Sequence, residues 1–83
     1  MNSEKAFGIT LKKYRGMASL SQEELAHQSN LDRTYISLLE RGLRRPTLNT
    51  IIVISKCLNK KPSELVQEVE QILNEHHKSE DTD

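Results

Sequence analysis

Apolar positions recur along this chain at helical spacing, and short polar breaks divide the recurrence into separate stretches. From about Ser3 to Arg15, Phe7, Leu11 and Tyr14 stand at i, i+4 and i+7, which marks one buried helix face. Gly16 and the Met17-Ala18-Ser19 segment end that first helix, and Lys12 and Lys13 lie on its solvated side. Ser21 is a good N-cap for a second helix; Glu24 completes a capping box, and Leu25 and Ala26 give the inward face. Ser29-Asn30 breaks the pattern, and Asn30 tolerates a left-handed turn. Asp32 is a second N-cap candidate, opening a third helix from Arg33 to about Arg41 that Gly42 closes. Thr47 caps a fourth helix, with Leu48, Ile51, Ile52, Ile54 and Leu58 expected in its core and Cys57 packed among them. Asn59 stands where a C-cap glycine often sits, and Pro62 suits the first turn of a fifth helix. The expected fold class is all-α, with five helices.

Two short helices joined by a three- to four-residue turn form the helix-turn-helix arrangement, whose second helix enters a DNA major groove. The third helix divides its faces accordingly. Ile36 and Leu39, with Leu31 just before them, point back toward the preceding helix. Arg33, Thr34, Ser37 and Leu38 fall on the opposite side, with Tyr35 at the edge. A guanidinium bonds guanine O6 and N7 bidentately, and a threonine methyl packs on the thymine methyl. Arg33 and Thr34 are therefore the candidate base readers. Tyr35, Ser37, Gln22 and Arg41 are candidate anchors to the DNA backbone, whereas Leu38 either touches thymine methyls or touches nothing. After Gly42, Arg44 and Arg45 form an adjacent pair of guanidinium groups placed to reach backbone or groove, Arg44 the better candidate. The start of the fourth helix, with Asn49 or Thr50, offers another phosphate site. Ordinary solvated side chains are the bland alternative for all of these.

Charge first argues against this reading, then for it. The formal net charge is zero, but residues 1–62 hold eleven Lys/Arg against five Asp/Glu, a net +6. Residues 63–83 hold one against seven, a net −6. A basic body with an acidic end is an asymmetry that points to a nucleic-acid partner, with the acidic end held away from phosphates.

Eighty-three residues make one small domain. Such domains bury only roughly 60% of their unfolded surface and are marginal without disulfides, metal or oligomerisation. A single cysteine excludes an internal disulfide, and no metal-ligand cluster is visible, so oligomerisation is the remaining support. The fifth helix supplies the means. Leu65 completes the core, but Val66, Val69, Ile72 and Leu73 continue as a stripe too long for so small a domain to cover. An apolar stripe left exposed marks an interface, here a two-fold dimer contact; the competing possibility is a longer helix folded back on its own core. The domain is expected over residues 1–75, with 76–83 an acidic, disordered tail. His76 and His77 are adjacent and make a poor metal pair.

The order and spacing of FGITLKKYR, SQEELA, YISLLERG, RRP and TLNTIIVISKCL resemble the Cro/phage-repressor-type (XRE-like) helix-turn-helix family over residues 7–65. Within that family, SNLDRTYIS followed by LER is most similar to the controller proteins of restriction-modification systems. The resemblance implies a lambda-repressor-like domain and a homodimeric transcription regulator on a pseudo-palindromic operator. Double-stranded DNA is then the partner, with RNA polymerase a further one. It also places Arg15 against Glu40 as a helix-clamping ion pair, making Glu40 a fold residue. A phage-type repressor or a DNA-binding antitoxin is the alternative within the family. A protein-interaction module without DNA binding is the alternative outside it.

Enzymes find no support: there is no glycine-rich phosphate loop, no nucleophile-histidine-acid set and no Cys/His zinc spacing. No cofactor or small-molecule ligand is expected. The N-terminus lacks a cationic flank followed by an apolar core, and no apolar run approaches a membrane span, so a cytoplasmic location is expected.

Overall fold

Each helix begins and ends where local chemistry requires. Asn2 Oδ1 accepts from the Lys5 amide at 2.9 Å and starts α1 (Ser3–Met17). Ser21 and Glu24 form the reciprocal capping box that starts α2 (Gln22–Ser29). Asp32 holds the N-cap position of α3 (Arg33–Glu40), although its side chain makes no capping hydrogen bond. Thr47 Oγ1 accepts from the Thr50 amide at 3.1 Å and starts α4 (Leu48–Cys57), and Pro62 opens α5 (Pro62–Asp81). The computed structural model describes residues 1–81, with side chains through His76.

All four breaks between helices are closed in the same way. Ser19, Asn30, Gly42 and Asn59 have positive φ, between 57° and 73°. In each case the next amide reaches back five residues to a helical carbonyl: Leu20 to Arg15, Leu31 to Ala26, Leu43 to Leu38 and Lys60 to Ser55, at 2.9–3.1 Å. This is the six-to-one bond of a Schellman closure, which satisfies orphan carbonyls and turns the chain sharply. The first break corrects one expectation. The helix continues through Gly16 to Met17, and Ser19 takes the left-handed position.

The helices pack in a cross-braced arrangement: α1 lies against α3 and α5, α2 against α3 and α4, and α4 against α5. Phe7 and Leu11 of α1, Leu25 and Ala26 of α2, Ile36 and Leu39 of α3, Ile54 and Leu58 of α4, and Leu65 of α5 form one buried core. Tyr14 is only partly buried at its edge, where the Lys13 and Lys60 ammonium groups approach its ring within 5.7 and 5.5 Å of the centroid. Gly8 lets α1 and α3 close on each other. A Cβ there would lie 2.5 Å from the Glu40 carbonyl oxygen and 2.7 Å from that of Leu39.

Two expected core residues lie outside this core. Leu48 is 71% exposed and Ile52 40% exposed, because no helix covers that side of α4. Cys57 is half-buried, and desolvation raises its thiol pKa above the ordinary value. The α5 helix runs past residue 75 to Asp81, so the expected boundary falls inside it; residues 82 and 83 lie outside the described residues. No helix among the described residues is long and apolar enough to cross a membrane.

Candidate nucleic-acid interface

The orientation of α3 rests on one carboxylate. Glu40, at the last position of α3, accepts from both Nε and Nη2 of Arg15 on α1, the latter at 3.0 Å, and from Gln22 Nε2 on α2 at 3.0 Å. Arg15 Nη1 also donates to the Leu20 carbonyl at 2.8 Å. One ion pair thus ties three helices and the first break together. The Glu40 side chain is 4% exposed and that of Arg15 16%. Hydrogen bonding to Glu40 holds the guanidinium pKa above its ordinary value; burial opposes this, and the nearby negative charge adds to it. Glu40 is therefore fully engaged in the fold.

With Ile36 and Leu39 turned into the core, the other side of α3 is left to solvent. There Arg33, Thr34, Ser37, Leu38 and Arg41 line a shallow concavity of about 210 Å³ with Gln22 from the first turn of α2. Arg33, Thr34 and Arg41 are exposed; Ser37, Leu38 and Gln22 are half-buried. Neither Arg33 nor Arg41 forms an ion pair among the described residues. The result is a cationic, hydrogen-bonding groove with two free guanidinium groups and one apolar side chain. The Gln22 amide already bonds Glu40, so it joins this groove to the clamp beneath. Tyr35 lies at the edge, its ring partly buried against the core.

The remaining candidates lie outside the concavity and differ among themselves. Arg44 is exposed, and its Nη1 donates to the neighbouring Leu43 carbonyl at 2.9 Å. Arg45 is paired: its Nε lies 3.2 Å from Glu4 Oε1, tying the α3–α4 loop to the first turn of α1. Asn49 is exposed on the first turn of α4. Thr50 is 8% exposed, and its Oγ1 accepts from Thr47 Oγ1 at 2.9 Å, so its hydroxyl is taken up by the cap. Thr50 is thus the least accessible of these candidates.

A second surface lies on α4 and α5. Val66 is 49% exposed, and Val69, Ile72 and Leu73 are half-buried. Val66 and Val69 line an apolar hollow of about 220 Å³ with Ile51, Phe7 and Pro46. Leu48 and Ile52 flank Ile51 on the same face of α4, one turn before and one residue after it. Ile51 thus joins α4 to the stripe expected on α5, and Leu48 and Ile52, which were expected in the core, are exposed beside it. The missed signal was the all-apolar run Ile51-Ile52-Val53-Ile54, too wide for one helix face to bury.

Comparison with known proteins gives a consistent result. The family model described as Helix-turn-helix matches residues 11–65. Control protein C.SmaI of Serratia marcescens is 42% identical over 59 residues, 71% of this chain and 70% of its own length. The solved restriction-modification controller protein C.AhdI from Aeromonas hydrophila superposes with a TM-score of 0.73 at 40% identity, over 75% of this chain and 94% of that one. The controller protein C.Esp1396I gives a TM-score of 0.77 at 32% identity, over 86% and 93%.

Proposed function

This chain belongs to the helix-turn-helix family of DNA-binding transcription regulators, and on that premise we propose that it is a homodimeric controller of restriction-modification genes. It binds a pseudo-palindromic operator in the cytoplasm, has no catalytic role, and acts at promoters where RNA polymerase is a further partner. The observation that carries the reading is the groove on α3, in which Arg33 and Arg41 stand without carboxylate partners among the described residues, beside Thr34 and Ser37. A protein-interaction surface of this size would have little use for a free guanidinium group at each end of one short helix.

In this reading Arg33 and Thr34 meet base edges, Arg33 a guanine. Gln22, Tyr35, Ser37 and Arg41 meet the sugar-phosphate backbone around them, which fixes register without reading sequence. Arg44 and Asn49 extend the backbone contacts, and Arg45 joins them only by exchanging Glu4 for a phosphate. The controller protein C.Esp1396I has also been solved as variants at a consecutive arginine, threonine and tyrosine, the same run of residue types as Arg33-Thr34-Tyr35. The dimer forms through the apolar face of α4 and α5, by Leu48, Ile52, Val66 and Val69 with Ile72 and Leu73 beyond. It sets two α3 helices about one helical turn of DNA apart, ~34–36 Å.

The test is selection from a randomised duplex pool at about 150 mM salt, where non-specific phosphate binding is suppressed. An inverted repeat should emerge, with one base pair per half-site relaxed in the Arg33→Ala protein at a cost of ~1–3 kcal/mol. An Arg33→Ala loss equal on all sequences would reassign Arg33 to phosphate. No enrichment at all would refute sequence-specific DNA binding.

A further inference from the structure

The α3 groove contains one residue that neither the core nor the polar contacts account for. Leu38 is half-buried and takes no part in the hydrophobic core, which draws only Ile36 and Leu39 from this helix, with Tyr35 at its edge. It lies instead among Gln22, Arg33, Thr34, Ser37 and Arg41. Its backbone carbonyl accepts the closing bond from the Leu43 amide, a role any residue fills, so local folding does not require leucine there. An isobutyl group surrounded by a guanidinium pair, two hydroxyls and an amide is unfavourably solvated in the free protein. It gains only if it meets something apolar on binding.

In the major groove the apolar feature on the base edges is the C5-methyl of thymine. Thr34 and Leu38 are four residues apart, on one side of α3, with a rise between them of roughly 6 Å. Successive base pairs are stacked ~3.4 Å apart, so the two methyl-bearing side chains are matched to bases one or two steps apart along a groove-bound helix. Arg33, next to Thr34, adds the guanidinium.

We infer that Leu38 is a specificity-determining residue that recognises a thymine methyl in each operator half-site. The inference rests on the DNA-reading function above and adds a base contact to it. It assigns Leu38 a pyrimidine methyl rather than a hydrogen-bonding edge, so that cytosine at that position is rejected for want of the methyl and uracil is rejected equally. Burying one methyl group against leucine corresponds to roughly fourfold in affinity for each half-site.

The experiment uses the full chain and the duplex recovered by selection. Each thymine is replaced singly by deoxyuridine, which removes the methyl and keeps every hydrogen-bonding group. For the unmodified protein, at least two thymine positions per half-site should show a uracil penalty, one of them roughly fourfold. In Leu38→Ala that penalty should vanish while the penalty attributed to Thr34 remains. Leu38→Asn, reselected from the random pool, should retain the inverted repeat and exchange thymine for adenine at that single position, since asparagine bonds adenine N6 and N7. Thermal melts of both variants check that the fold is kept, as expected for a residue outside the core. If Leu38→Ala keeps every uracil penalty, or Leu38→Asn selects an unchanged operator, Leu38 reads nothing and the inference falls while the DNA-reading function stands. If no operator is selected by the unmodified protein, both fall together.

Discussion

Removing the Glu40 carboxylate should be among the most damaging single changes outside the groove proposed to meet DNA. Its two oxygens take three hydrogen bonds, two from Arg15 and one from Gln22, and its side chain is 4% exposed. Glu40→Ala leaves the Arg15 guanidinium buried with only the Leu20 carbonyl for company and frees the Gln22 amide. Breaking one side of a buried pair costs ~3–5 kcal/mol. Arg15 keeps 16% of its side-chain surface in water, which moves the expectation to the lower end, about 3 kcal/mol. Against ~4–12 kcal/mol for a chain of this length, that is a quarter or more of the stability, or roughly 12–24 °C in Tm. Urea unfolding followed by far-ultraviolet circular dichroism, at one protein concentration so that the proposed dimer would contribute equally throughout, gives the number. Replacing both partners by leucine should recover most of the loss, since an apolar pair of similar volume needs no counter-charge. The sign with pH follows from Arg15. Its pKa is raised in the fold, so its contribution is complete below the unfolded value and is lost only as pH rises through the still higher folded value. The Arg15 contribution should therefore be constant from pH 6 to 9. Losses under 1 kcal/mol for Glu40→Ala and for Arg15→Ala would refute the clamp and make the pair an ordinary surface bridge.

Two glycines in α1 should respond oppositely to the same substitution. Gly16→Ala meets nothing within 4 Å and should stabilise by about 0.4–1 kcal/mol, whereas Gly8→Ala drives a Cβ into the Leu39 and Glu40 carbonyls and should cost ~1–3 kcal/mol despite its better helix propensity; urea midpoints compare them. Ser19 is a non-glycine residue at φ 58° with its backbone closing α1, so Ser19→Gly should gain about 1 kcal/mol by the same assay. Leu48→Glu and Ile52→Lys should convert the dimer to monomer in light scattering and remove the concentration dependence of Tm, with helicity retained, because both side chains are exposed in the single chain; an unchanged mass would reject the α4–α5 interface. The Cys57 thiol, its pKa raised by burial, should react with a disulfide reagent at pH 8 more slowly than in the urea-unfolded chain.

What was legible in the sequence, and what was not, follows the range of the interactions involved. Helix starts depend on residues three apart, and the Ser21–Glu24 box and the Thr47 cap are present as read. Asn30, Gly42 and Asn59 advertise a left-handed turn by residue type and adopt it; Ser19 adopts it too, but serine carries no such signal. The two faces of α3 follow from the helical period alone, which separates Arg33, Thr34, Ser37 and Leu38 from Ile36 and Leu39. The sequence-distant facts were not visible in this way. Gly8 reads as a weak point in a helix until the α3 carbonyls are seen against it. Adjacent Arg44 and Arg45 look alike until Glu4, forty-one residues before Arg45, takes one of them. Arg15 and Glu40 came from family resemblance, since no local rule pairs residues twenty-five apart.

The misplaced leucine and isoleucine of α4 follow from one physical fact. Burial on folding and burial on association select the same side chains, so an apolar period cannot say which of the two covers it. The only internal clue is geometric capacity: one helix face presents about a hundred degrees to its neighbours, and α4 carries apolar residues well beyond that arc. Ile54 and Leu58 fill the arc that meets the core. Leu48 and Ile52 are the surplus, on the same side as Ile51 and the hollow that Val66 and Val69 share with it. A monomer of this sequence would hold that surplus against water and gain nothing from it. A two-fold pair buries it twice, and in doing so supplies what a small domain with one cysteine lacks in internal support. The residues that fit the core least well are therefore those that best account for the proposed dimer, and such a dimer would set the spacing of the two α3 grooves on DNA.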